Sequence, residues 1–282
     1  LIKFDCSFLY KLAYKYIMNF SPDVANIIGL YLGRYELLSW VDPDKLNWFE
    51  LSENPNAIDL LSANPNWTNW SKLSYNTSAI ELLTANPDKI NWGSLCANPA
   101  AIELLMNNPD KINWYGLSLN PAAINLLAAN LNKINWSMLS RNPAAIDLLV
   151  ANPDRIDWVE LCKNPAAIHL LTTNPEKINW DVLSLNPAAI SLLTANLNKI
   201  EWSHLSINPA AINLLLANPG KIDWNQLSIN PAAIDLLVAN PDKIHWCYLS
   251  LNTAAIPLLS TNLDKINWEW LSENPSIFEL RA

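Results

Sequence analysis

Glycine is nearly missing from this chain, with five residues in 282, against nineteen prolines and fourteen tryptophans. Tightly turned β structure leans on glycine for its positive-φ positions, so low glycine beside abundant alanine and leucine points to helix. Charge is scarce as well: charged residues are 16% of the chain and the formal net charge is −8. Binding to nucleic acid depends on Lys and Arg neutralising phosphates, and docking on an anionic membrane surface needs the same charge. Both are excluded as expectations. No run approaches the ~18 unbroken apolar residues of a membrane span. The apolar N-terminus is interrupted by Lys3, Asp5, Lys11 and Lys15, lacks the continuous core and small-residue cleavage site of a signal peptide, and begins on Leu1 as a trimmed start would. Four cysteines without a Cys-x-x-Cys pair make no disulfide framework in a chain this long. Their usage favours a reducing intracellular compartment such as the cytoplasm.

What the chain does contain is repetition. "NPDKINW" fills residues 86–92 and again 108–114. Trp48, Trp70, Trp92, Trp114, Trp136, Trp158, Trp180, Trp202, Trp224, Trp246 and Trp268 stand 22 residues apart without a slip. Numbered from each Trp as zero, the unit reads W-x-x-L-S-x-N-P-A-A-I-x-L-L-x-A-N-P-D-K-I-N. Asn at +6 and Asn at +16 never fail. Strict self-similarity at a fixed period is the mark of a solenoid, in which each unit meets the same surroundings as the last.

Local chemistry supplies the elements. Asn-Pro at +6 and +7, as in Asn98-Pro99, is a helix N-cap with proline at the first helical position. The Ala-Ala-Ile-x-Leu-Leu run after it predicts a helix of about nine residues, with +9, +10, +12 and +13 on one apolar face and +11 pointing away. Asn at +16 is expected to end that helix in a left-handed conformation, and Pro at +17, replaced by Leu131, Leu197 and Leu263, prevents continuation. A second short helix runs from Trp to +4, capped by the Asn or Asp of +21. One such unit buries too few apolar groups to offset the entropy of ordering it, so each copy must serve as half of an interface with the next. The expected fold is all-α: an α-solenoid, superhelical or toroidal, of two-short-helix 22-residue units. The alternative is a β-containing solenoid with Lys-Ile-Asn-Trp as its strand.

Tandem Asn-Pro, Asp-Lys-Ile-Asn-Trp and Leu-Ser-x-Asn-Pro units of this length resemble the repeat proteins encoded by large DNA viruses of algae and amoebae, mimivirus-like viruses among them. The likeness spans roughly residues 44–280. It implies repeat architecture and brings no catalytic residues with it.

The two ends depart from the period. Residues 1–42 are expected to form a helical N-terminal cap, with a helix begun by Ser21 and Pro22, and residues 43–282 the repeats. Pro22-Asp23-Val24 with Ile27, Ile28, Tyr31 and Leu32 is similar in outline to an F-box, which would imply a ubiquitin-ligase adaptor. The last unit stops at residues 278–282, inside its expected helix, with no polar capping helix after it. An apolar end of this kind must meet a continuation, another copy, or the chain's own first unit.

No reactive constellation is visible, and neither cofactor nor metal is expected. Cys96 and Cys162 both occupy +4 but lie three units apart, too far to pair. His169, His204 and His245 fall at +11, +2 and +21, in different units. The Lys row at +19 could suggest an anion track, but the acidic row at +18 offsets it and a solvated turn edge is expected. The Trp ladder could stack on sugars or bases; its regularity favours core. The Asn rows are expected to satisfy turn backbone groups. Recognition would be written at the variable places +1, +2, +5, +11 and +14. The candidate contact surface is Leu119, Leu185, Ile207, Ile229 and Leu251 at +5, with Phe278 and Leu280 at the chain end. Pro257 at +11 is expected to kink its helix. The functional expectation is a non-catalytic structural protein that assembles with itself into a filament or ring. The alternative is a monomeric protein-interaction scaffold, so partners are other copies or other proteins.

Overall fold

A computed structural model describes residues 35–281. The repeats fold as an all-α solenoid, and each unit follows one plan. In the third unit, Trp92–Leu95 forms a short α-helix, Pro99–Ala101 a single 3-10 turn, Ile102–Met106 a second α-helix and Pro109–Lys111 another 3-10 turn. Among the described residues no unit before the last contains a strand. Lys-Ile-Asn-Trp passes from the end of a 3-10 turn through two extended residues into the Trp helix.

The caps behave largely as the letters require. Asn91 accepts from the Ser94 N–H, and Asn98 accepts from the Ala100 N–H. The expected nine-residue helix is divided, because the Pro at +7 opens a 3-10 turn before α geometry begins at Ile. Thr77 and Thr253 replace that Pro, and their two units are the ones without this 3-10 turn. Asn at +16 is not left-handed: Asn86 sits at φ −133° and ψ 62°. Asn196 and Asn262, which precede Leu, take the same backbone conformation, so it does not depend on the following Pro. The Asn86 side chain donates to the Leu82 carbonyl at 2.9 Å, standing in for its own N–H, which has turned to the Leu83 carbonyl. Pro257 causes no kink. It lies in the first turn of Ile256–Ser260, where its N–H would have no helical partner anyway.

Leu at +3, Ala at +9 and Leu at +13 form the continuous core; Leu95, Ala101 and Leu105 are fully buried. Trp at zero, Ile at +10 and Leu at +12 pack half-buried around it. Neighbouring Trp helices, and successive Asn-Pro turns, meet more closely than neighbouring second helices do.

The solenoid closes on itself. In every unit the Asn at +6 donates through Nδ2 to the +4 carbonyl of the unit before, as Asn142 does to Ser118 at 3.1 Å. Asn54 of the first unit makes the same bond to Ser272 of the last at 3.4 Å, and a second to the Asn274 carbonyl at 3.2 Å. Eleven units therefore complete one turn, each advancing one-eleventh of it. In a closed ring the more closely spaced layer lies at smaller radius, so Trp helices and Asn-Pro turns sit nearer the axis than second helices.

A two-stranded clip finishes the seam. β1 (Tyr35–Leu37) pairs antiparallel with β2 (Phe278–Leu280), Leu37 opposite Phe278, and the Leu38 N–H donates to the Ile277 carbonyl at 2.9 Å. This corrects two expectations. Phe278–Leu280 is a strand, not a helix cut short, and Tyr35–Leu37 is a strand where the helix begun at Ser21 was expected to run. The F-box-like stretch, and the rest of the expected cap before Tyr35, lie outside the described residues. The last unit is covered by the first unit and by β1.

Candidate interaction surface

The invariant polar residues are used inside the ring. Ser at +4 donates through Oγ to the carbonyl of its own Trp and accepts the N–H of the +21 residue that caps the next unit's Trp helix. Ser140 does so with Trp136 at 2.8 Å and Asp157 at 3.0 Å. This relay runs through all eleven interfaces, the seam included, where the Asn47 N–H reaches Ser272 Oγ at 2.8 Å. Cys96 and Cys162 take the Ser place and accept through Sγ, from Asn113 at 3.1 Å and Asn179 at 3.4 Å. Burial pushes both thiols above their ordinary pKa, against the lowering effect of those bonds. With both partners of each bond enclosed, these groups are unavailable to a ligand.

The +19 cations are not merely a solvated edge. Lys89, Lys133, Lys199, Lys243 and Lys265 lie over the indole of their own unit's Trp, 4.3–4.8 Å from its centroid, and Arg155 lies over Trp136 at 5.2 Å. Lys45 covers Trp268 across the seam at 5.0 Å. In the first unit Trp67 holds the Lys place and meets Trp48 edge-on at 5.2 Å. These seven indoles thus face core on one side and a cation on the other, a placement that leaves them poorly disposed to stack on sugars or bases.

Variation falls on the surface. At +14, Met106, Val150, Leu216 and Val238 are each more than half exposed. At +5, Leu185 is 38% exposed, while Leu119, Ile207, Ile229 and Leu251 are half-buried. Leu185, Ile207, Ile229 and Leu251 belong to four consecutive units and form one stripe; Leu119 is set apart by Arg141 and Lys163. Phe278 is a correction. It is 7% exposed, enclosed at the seam, and offers no contact surface. Leu280 is half-buried opposite Tyr35.

Beside the stripe lies a group not anticipated from the sequence. Tyr248 and Trp270, both at +2 in successive units, stack at 5.1 Å with planes 5° apart. His245 lies 4.3 Å from Tyr248 and caps its helix, accepting the Tyr248 N–H through Nδ1. The signal was available: +2 side chains of adjacent units touch, so aromatics there in consecutive units must meet. The same adjacency places Lys72 on Glu50, 3.2 Å away, and on Glu53 at 3.0 Å. Burial alone would lower the Lys72 ammonium, yet hydrogen bonds and charge from both carboxylates hold it above its usual value. Asp157 is likewise pulled below the ordinary carboxylate range: burial opposes this, but the Ser137 hydroxyl, the Glu160 and Val159 amides and the Lys163 charge outweigh it.

Among the described residues no three His, Cys, Asp or Glu side chains gather as a metal site, and no helix is long and apolar enough to cross a membrane. A cavity of about 200 Å³ at the seam is lined by Glu50, Glu53, Asn54, Pro55 and Glu273. Comparison with protein-family models, with curated proteins and with solved structures finds no match to this chain.

Proposed function

We propose that this chain is a non-catalytic ring scaffold that binds other proteins through the side chains that vary from unit to unit. The observation that carries the reading is the division of labour within the unit. Asn at +6 and Ser or Cys at +4 bond across every interface, and Leu and Trp pack in or against the core. The variable +1, +2, +5 and +14 places face outward from that network with apolar and aromatic groups. A contiguous apolar stripe at Leu185, Ile207, Ile229 and Leu251, flanked by the Tyr248–Trp270 stack, has the character of a protein contact: aromatic and aliphatic anchors with few charges. On the tandem phrase alone we also assign the chain to the viral repeat proteins it resembles. Self-assembly, the other reading of the sequence, bears on the seam.

The test is capture by the full-length protein in extract from its natural setting, comparing wild type with Leu185→Lys/Ile229→Lys and with Val150→Lys. The expected result is a defined protein retained by wild type and by Val150→Lys, and lost with the stripe variant while its circular dichroism is unchanged. Equal recovery by all three proteins would remove the stripe from the proposal.

A further inference from the structure

The eleven interfaces share their hydrogen bonds and core contacts, but one differs in two respects. Ten are tethered by the peptide chain, whereas the seam between the last unit and the first is held by non-covalent contacts alone. The seam is also the place where like charges meet. Glu53 and Glu273 are the only carboxylates at +5 in the chain, and closure makes their units neighbours. They line one cavity together with Glu50. In the clip, Glu36 stands directly opposite Glu279, a cross-strand pairing that disfavours closure.

We propose that the ring opens at this seam and that the two faces it parts accept the corresponding faces of a second copy of the chain. The occupant follows from the contacts. The surface of the last unit is built to receive the first unit of this sequence: Ser272 Oγ accepts the Asn47 N–H, the Ser272 and Asn274 carbonyls accept Asn54, and Pro275 accepts Asn56 at 3.0 Å. None of these bonds depends on both residues belonging to one molecule. A second copy supplies the same atoms, and head-to-tail repetition of that contact extends the solenoid beyond one ring. Opening exposes the core face around Ile277 and Phe278, so the open form has a strong reason to find a partner.

Charge sets the balance between the two forms. Glu273 faces Glu50 and Glu53 from the first unit, Lys72 from the second, and Glu269 on its own helix; in the clip, Glu36 and Glu279 face one another and Arg281 pairs with Glu36 at 3.2 Å. Burial, then the nearby Glu50 charge, raises the Glu273 carboxyl above its ordinary value of 4.5, with Lys72 opposing. The closed ring therefore binds a proton at Glu273 more readily than the open form does. Closure is favoured as pH falls toward that ordinary value and disfavoured as pH rises through the raised one. A copy docked at the same seam brings the same charges together, so rising pH promotes opening and exchange while concentration governs how many open chains find each other.

The test uses the full chain with Cys6→Ser and Cys247→Ser, carrying Glu36→Cys and Glu279→Cys at the facing clip positions, whose separation suits a disulfide. Protein is incubated across a concentration series at about pH 5 and about pH 8, then oxidised, and linked peptides are assigned by mass spectrometry after mixing isotope-labelled and unlabelled chains. Interchain links that rise with concentration, and at least several-fold from the lower pH to the higher, are the expected result. In parallel, light scattering of the wild-type chain is expected to show multiples of the single-chain mass under the same conditions, and fewer of them with Glu273→Gln. Intrachain links alone, or a single-chain mass throughout the range, overturns the proposal.

Discussion

At the scale of single residues, the Asn at +6 joins two units through one side chain. Asn142 is 1% exposed, accepts from the Ala144 amide at 3.0 Å and donates to the Ser118 and Asn120 carbonyls. One side chain thus caps its own turn and ties it to the previous unit. Asn142→Ala strands buried backbone groups on both sides, and urea unfolding should show a loss of about 3 kcal/mol. Asn142→Asp keeps the capping oxygen but turns the second oxygen on two carbonyls, so it should cost at least as much. An Asp variant more stable than the Ala variant would show that the cap, not the inter-unit bond, is what matters. The +4 place makes a complementary prediction about reactivity. Cys96 and Cys162 are buried acceptors with thiols raised by that burial, whereas Cys247 is partly exposed. Raised thiols hold less thiolate at neutral pH, and enclosure blocks reagents besides. Iodoacetamide should therefore label Cys247 in the native protein and reach Cys96 and Cys162 only on unfolding; native labelling of all three at similar rates would contradict the Sγ acceptor role.

At the scale of the element, most of what was legible came from chemistry acting within a few residues. The Asn-Pro starts, the +21 caps and the apolar faces follow from local rules, and the helices stand where those rules put them. The misjudged details also have local causes. The Pro that starts the second segment favours a 3-10 turn over α geometry, and Asn at +16, whether Pro or Leu follows, is held by its side-chain bond to the carbonyl four residues back. The clip was harder to see, because β2 pairs with a segment at the other end of the chain. Its trace in the sequence is the replacement of Ala-Ile-x-Leu-Leu by Ile277-Phe278-Glu279-Leu280. The two units that lack Pro at +7 turn the same reasoning into a prediction. Thr77 follows Asn76, whose caps to Ser78 and Ala79 are already made at 3.0 Å and 3.1 Å. Thr77→Pro should restore the 3-10 turn and stabilise the protein by about 0.4–1 kcal/mol, mainly by restricting the unfolded chain. A destabilised variant would mean that the Thr77 amide is needed where it stands.

At the scale of the whole molecule, ring closure depends on a small rotation per unit that no local signal encodes. What the sequence does show is the consistency required for it: eleven units in unbroken register. Closure changes how stability is shared. In an open solenoid the terminal units have one neighbour and fray first, whereas here the first and last units each have two. The seam remains the weakest interface, because parting it is the one separation that frees the chain without unfolding a unit. Phe278 holds it from the clip side, 7% exposed opposite Leu37. Phe278→Ala removes about 3–5 kcal/mol of packing, more than enough for a hundredfold change in an opening equilibrium. The Asn47 and Asn135 amides make chemically matched bonds, to Ser272 Oγ at 2.8 Å and to Ser118 Oγ at 3.0 Å. One lies at the seam and the other at a tethered interface, so amide exchange followed residue by residue can separate local opening from global loss. In Phe278→Ala, exchange at Asn47 and at Leu38 should accelerate a hundredfold or more while Asn135 keeps its protection. Equal acceleration at Asn47 and Asn135 would mean that the ring opens only by unfolding as a whole, and the seam would then have no separate identity in the energetics of the molecule.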